Sequence, residues 1–295
     1  MRFASITFLA CAILVASPDI VMGASTGSKG PAVKPAPAPA VKPKVPAPAA
    51  TSTAAAPKPT NLTHNKCPTG TLSCSTQTKV ADHCCFEQYG EYVLSQQWVK
   101  GLGTDDYFTM HGMWPNTCAS TLTPKTGCDS TRVYKKVEAL IKPLKPALVT
   151  DMTKYWPSKR MPNDEFWGHE WSKHGTCVST LRPQCYNSYT KNQDIVDYFT
   201  NAINLHKKYD YAAALKDHKI MPDNMNVVSA TDFKKAIHAK YGVNVVLKCK
   251  TNPATNVSEL SEVWTYFNVQ DLNTYIPTQP NSKDSCASKF LYFEK

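Results

Sequence analysis

Ten cysteines in the body of this chain limit its fold more than any other feature. They are Cys67, Cys74, Cys84, Cys85, Cys118, Cys128, Cys177, Cys185, Cys249 and Cys286; an eleventh, Cys11, lies in an N-terminal apolar run. An even set in an exported chain reads as five disulfides. No paired Cys-x-x-Cys spacing occurs, which argues against a zinc cluster. Cys84 and Cys85 are adjacent, so their α-carbons lie only ~3.8 Å apart, too close for a relaxed bridge. Each must reach a different partner, which ties two distant segments to one point.

The N-terminus agrees with export. Arg2 precedes an apolar run from Ala4 to Ala16, and small residues follow around Ser17 and from Gly23 to Ser25. Residues 1–23 therefore read as a secretory signal peptide, consistent with release from the cell or delivery to a vacuole or lysosome. The run is too short to span a membrane comfortably, and no second run of spanning length follows, so no membrane association is expected. Residues 24–62 are built from Pro, Ala, Lys, Val and Thr and are expected to form an extended, disordered tail. Asn61-Leu62-Thr63 and Asn256-Val257-Ser258 are acceptor motifs for glycosylation, which would put Asn61 and Asn256 at the surface. The net charge is +10, and Lys29, Lys34, Lys42, Lys44 and Lys58 of the tail supply five of it, leaving +5 for residues 63–295. A mildly basic body suits a polyanionic substrate without requiring one.

Residues 63–295 are expected to fold as one α+β domain, an antiparallel β-sheet core flanked by helices. Val133, Val137, Leu140, Ile141 and Leu144 recur at helical spacing, with Pro143 and Pro146 ending or kinking that helix. Ile195, Tyr198, Phe199, Ala202 and Ile203 predict a second helix. Thr231 reads as the N-cap of a third, closed at Gly242. Strand-like runs cover Glu91–Val99, Tyr107–Met113, Val243–Cys249, Glu262–Val269 and Lys289–Phe293.

Two stretches gather the chain's imidazoles. One runs from Phe108 through His111, Gly112 and Trp114 to Pro115, and reads as a strand leading into a turn bracketed by Gly112 and Pro115. The other runs from Phe166 to Cys177 and reads as a helix ended by Gly175. On that helix His169 and Lys173 are four apart, as are Glu170 and His174, so all four side chains share a compact patch. If His111 faces the patch, two imidazoles supply an acid and a base to one phosphorus centre. Lys173 and His169 would neutralise phosphoryl charge, and Trp114 offers a flat face to a base. Trp167 and Trp171 read as core residues, and His64, His83, His206, His218 and His238 as structural or surface groups. Clustered cations at Lys173 and His169 are expected to lower neighbouring imidazole pKa values against the opposing charge of Glu170, favouring an acidic optimum. A zinc-protease helix needs His-Glu-x-x-His. Here the second ligand position is Lys173, whose ammonium cannot bind zinc, so that class is disfavoured.

At these residues the chain resembles the ribonuclease T(2) family of secreted and vacuolar endoribonucleases. The family's first signature ends in His-Gly-Leu-Trp-Pro; here it is His111-Gly112-Met113-Trp114-Pro115. The second corresponds to Phe166 through Cys177, and the similarity extends from about residue 65 to the end. The resemblance implies metal-independent and cofactor-free cleavage of single-stranded RNA through a 2′,3′-cyclic phosphate. A 2′-hydroxyl nucleophile would spare DNA. It implies His111 and His174 as the acid–base pair, with the order of roles open. Glu170 and Lys173 would support the pentacovalent state, His169 would bind phosphate, and Trp114 would stack on a base. Asn116 stands where some fungal relatives carry aspartate, and Leu122 where they place an aromatic, so base preference stays open. The cysteine layout is similar to the fungal branch and implies Cys67–Cys85, Cys74–Cys118, Cys84–Cys185, Cys128–Cys177 and Cys249–Cys286. A monomer of low base specificity is expected. A non-catalytic RNA-binding descendant is the competing class, and intact histidines at all three positions argue against it.

Overall fold

The computed structural model describes residues 67–70, 72–75 and 82–295. The expected leader, the Pro/Ala/Lys-rich segment, Asn61 and His64 lie outside the described residues. Five disulfides join Cys67 to Cys85, Cys74 to Cys118, Cys84 to Cys185, Cys128 to Cys177 and Cys249 to Cys286. The adjacent Cys84 and Cys85 reach separate partners, as their spacing demands.

The sheet is built on β1 (Glu91–Gln97) and β5 (Ser258–Gln270), which pair antiparallel. β2 (Thr109–Asn116) adds to the free side of β1 and forms that edge of the sheet. β4 (Val245–Thr251) and β6 (Thr274–Pro277) pair antiparallel with successive parts of the long β5. β7 (Lys289–Leu291) meets β5 in a single parallel pairing and carries β3 (Val227–Ser229) beyond it. The expected α+β class with an antiparallel sheet core is the observed one.

The helices are α1 (Val137–Ile141), α2 (Pro146–Tyr155), α3 (Asn163–Lys173), α4 (Gln193–Lys208), α5 (Tyr211–Asp217) and α6 (Ala230–Tyr241). The helix expected around Val133–Leu144 is the shorter α1, which ends before Pro143 as expected. Pro146 starts α2 at its first position, where a missing N–H costs nothing, and Val133 and Leu144 stay exposed. α6 is capped by Ser229, not Thr231: the Ser229 hydroxyl accepts the Asp232 N–H, and the helix closes at Gly242. α4 fulfils its periodicity, burying Ile195, Tyr198, Phe199, Ala202 and Ile203. Its Tyr198 hydroxyl donates to the Met113 carbonyl at 2.8 Å, which fastens the helix layer to β2. Trp167 and Trp171 are core residues, as expected, with their indole N–H groups donating to the carbonyls of Trp156 and Arg132.

The largest departure from the sequence expectation is in β2. The strand does not turn at Gly112 but continues through Pro115 to Asn116. An edge strand tolerates proline because its outer N–H has no ladder partner to lose. Along β1, Ser95 pairs with Gly112 while the next residue, Gln96, pairs with Met110. His111 is therefore the extra residue of a β-bulge, a device that re-aims one side chain. Met110 and Met113 both reach the core, three residues apart, because the bulge absorbs one step of the alternation.

Candidate active site

The bulge is pinned from behind. The Trp156 indole N–H, just past α2, donates to the His111 carbonyl at 2.8 Å. His174 is fixed differently. α3 ends at Lys173, His174 is its C-cap, and its N–H donates to the Glu170 carbonyl at 3.0 Å. Gly175 opens a 3-10 turn instead of terminating the helix with a left-handed residue. Its lack of a side chain is needed for close approach, since a Cβ there would lie 2.4 Å from the Trp171 ring. Beyond the turn, Cys177 is bridged to Cys128. The Thr176 carbonyl accepts from the guanidinium of Arg132, which is itself paired with buried Asp194.

These two supports bring the signatures together around Trp114. The His111 ring stands edge-on to Trp114 with centroids 4.9 Å apart, and the His174 ring lies tilted against it at 5.5 Å. The Trp114 indole N–H donates to Glu170 Oε2 at 2.9 Å. Gly112 makes that bond possible, because a Cβ there would sit 2.1 Å from Trp114 Nε1 and 2.2 Å from Glu170 Oε2. The glycine of the first signature thus serves a side-chain contact, not the turn expected from sequence. Trp114 also packs edge-on against Trp264 at 5.6 Å.

Glu170 and His174 are buried, Lys173 is half-buried and His169 is exposed. Asn116 lies two residues beyond Trp114 on β2, buried opposite Glu91, and bridges to Leu122, which is 76% exposed. A cleft of about 460 Å³ opens beside His111, His169 and Glu170, with Phe166, Ser158, Lys159, Arg160 and Lys250 on its walls. Asn256 is exposed at the turn between β4 and β5. Among the described residues, no group of three or more His, Cys, Asp or Glu side chains is arranged to hold a metal ion. No helix among them is long and apolar enough to cross a membrane.

The electrostatics separate the histidines. Burial lowers the His174 pKa to about 2, reinforced by the charges of Lys173, His169 and His111. That shift favours the neutral imidazole, and the His174 Nδ1 is buried without a protein partner. His169 is also lowered, by desolvation against its neighbours and by the charges of Lys173 and His111. His111 goes the other way: burial lowers it, but the hydrogen bond and charge of Glu262, with Glu170, outweigh that and raise it. The lowering expected from Lys173 and His169, with Glu170 opposing, therefore holds at His174 but is overcome at His111, chiefly by Glu262. Burial raises Glu170 to about 7 against the pull of His111, Trp114 and Lys173.

Glu262 is the site residue that sequence reading missed. Its Oε1 lies 2.9 Å from His111 Nδ1 across the intervening strand β1. The only sequence signal was a carboxylate at the start of the mostly apolar and aromatic run Glu262–Val269, a placement that ordinarily marks a solvated strand end.

Residues 73–286 match the model of the Ribonuclease T2 family. The chain belongs to that family. Ribonuclease Rh of Rhizopus niveus is 39% identical over 228 residues, covering 77% of this chain and 92% of the relative. Ribonuclease Trv of Hypocrea rufa is 32% identical over 240 residues, covering 77% and 97%. Among solved structures, that of Actibind, described as a T2 ribonuclease, superposes with a TM-score of 0.70 at 29% identity, covering 76% of this chain and 95% of that one. The T2 family assignment agrees with the five bridges and with the two signatures meeting at Trp114.

Proposed function

We propose that this T2-family ribonuclease cleaves single-stranded RNA by transesterification, with His174 and His111 as the proton-transferring pair. The observation that carries the reading is the contact of both imidazoles with Trp114. It holds their centroids within 10.4 Å of each other, the sum of the two ring distances. His174 enters neutral and takes the 2′-hydroxyl proton as that oxygen attacks phosphorus. The negative phosphodiester beside it strengthens this weak base. His111 enters protonated and gives its proton to the departing 5′-oxygen as the P–O5′ bond breaks. The 2′,3′-cyclic phosphate is then opened by water with the two roles exchanged, leaving a 3′-phosphate.

Lys173 and His169 offer positive charge to the phosphoryl oxygens. Below about pH 7 Glu170 holds a proton and can donate a hydrogen bond to the same group. Trp114 and Asn116, on one face of β2, are read as the base-contacting side. We also read the protein as secreted and residues 1–23 as its leader, a reading supported by five disulfides that need an oxidising compartment.

The test is turnover of a homopolymer panel in excess EDTA, with products followed by phosphorus NMR. Cyclic phosphate should appear first and 3′-phosphate later. His174→Ala should reduce the rate about 10²–10⁴-fold, the contribution typical of a positioned proton-transfer group. Unchanged cleavage by His174→Ala, or dependence on added zinc, would defeat the reading.

A further inference from the structure

We propose that Glu262 is a positioning residue for this reaction: its carboxylate accepts the Nδ1 proton of His111 and so holds Nε2 toward the substrate phosphorus. The proposal deepens the functional reading above and rests on it.

The geometry is that of a fixed dyad. Glu262 Oε1 lies 2.9 Å from His111 Nδ1. The other oxygen, Oε2, accepts from the Ser95 hydroxyl at 3.0 Å and from the Trp264 indole N–H at 2.5 Å. Three donors thus converge on one carboxylate, which leaves it little freedom to rotate. Ser95 belongs to β1, between the strands that carry Glu262 and His111, and its short side chain leaves room for Glu262 to reach across. The Glu262 side chain is 19% exposed and that of His111 38%, so the bond is shielded but the imidazole remains open to the cleft. The backbone of His111 is held separately by Trp156. Ring and main chain are therefore each fixed by a different element.

The imidazole of His111 also faces other charges. Glu170, Lys173 and His169 approach from α3, His174 from its C-cap, and Lys250 of β4 lines the same cleft. Among these only Glu262 touches an imidazole nitrogen of His111 in the described structure. His174 has no counterpart, since its own Nδ1 lacks a protein partner. The two imidazoles are consequently not equivalent. One is oriented and kept basic by a carboxylate, while the other is kept neutral by burial.

Glu262→Gln is nearly isosteric yet cannot satisfy all three donors. If its amide oxygen faces His111, its NH₂ opposes the Trp264 N–H. If the NH₂ faces His111, it imposes the wrong imidazole tautomer. We expect kcat to fall about 10- to 100-fold with KM little changed, a part of what a full proton-transfer group supplies. The imidazole resonances of His111, followed by NMR with isotope-labelled histidine, should titrate at lower pH in the variant, with the other histidines assigned as controls. In a His111→Ala background the Glu262→Gln change should cost no further activity, because the two residues act as one unit. Thermal melts verify that the variants are folded, and Glu262→Ala provides a second removal of the acceptor. Wild-type kcat with an unmoved His111 titration would overturn the proposal, as would an equal loss in the His111→Ala background. Full activity of His111→Ala alone would instead overturn the underlying ribonuclease assignment of His111.

Discussion

Gly112→Ala puts the most weight on the smallest change. The added Cβ would fall 2.1 Å from Trp114 Nε1 and 2.2 Å from Glu170 Oε2, against the roughly 3.5–4.0 Å of an ordinary contact. One or both groups must retreat by more than ~1 Å, and the 2.9 Å Trp114–Glu170 bond cannot survive that. Glu170 is only 1% exposed, so water does not readily replace the lost donor. Stranding a buried polar group costs about 1–3 kcal/mol. Overpacking adds about 1–3 kcal/mol. In a domain of this size each kcal/mol lowers Tm by roughly 2–4 °C, so a drop of about 5–20 °C is expected. The loss of activity should be larger in proportion. Both imidazoles lean on Trp114, and a displacement near 1 Å costs about 100-fold in a positioned site. Calorimetric melts and kcat/KM on a homopolymer at a temperature where the variant is folded test both numbers. A Tm within 2 °C of wild type and kcat/KM within about twofold would show that the Trp114–Glu170 contact does not organise the site.

Two further outcomes follow from charge and crosslinking. Glu170 has a folded pKa of about 7 against 4.5 in the unfolded chain, so the folded form binds more protons between those values. Its contribution to stability therefore falls as pH rises through that window, by about 3 kcal/mol. Glu170→Gln should be more stable than wild type at pH 8 and closer to it at pH 4.5, measured by urea melts, even as activity declines; equal stability at both pH values would contradict the burial argument. His174 acts in the opposite sense, its lowered pKa removing stability as pH falls below 6.5. Replacing Cys249 and Cys286 with serine opens a 37-residue loop and should cost about 4 kcal/mol by chain entropy. Cleavage at 25 °C should persist, because neither cysteine borders His111 or His174; a collapse of kcat in the folded variant would show that this bridge supports the site.

Much of the site was legible because it is local. His169, Glu170, Lys173 and His174 fall within one and a half helical turns, and the 3.6-residue period alone gathers them. The α4 periodicity was likewise readable, since an amphipathic stripe has one way to face a core. What failed were local assignments, of a turn and of a cap, made from residue type alone. Gly112 looked like a turn residue because glycine usually signals backbone freedom, whereas here it clears space for an indole and a carboxylate from another element. The Thr231 cap was displaced by Ser229 because two hydroxyl residues lay within reach of the same helix start. The short strands β3 and β6 carried too few residues to show alternation.

The sequence by itself determined the chemistry on offer: the imidazoles, the carboxylate of α3, the lysine, and the ten cysteines with their adjacent pair. Tertiary structure decided which of these groups meet. The β2 bulge is a difference in register between two strands, and register is set by pairing along β1 rather than by any property of residues 109–116 alone. Glu262 lies 151 positions from His111, and only the antiparallel sheet brings the carboxylate to the imidazole. The split in histidine charge follows from that same packing, because burial and neighbouring charge are properties of a folded volume and not of a chain.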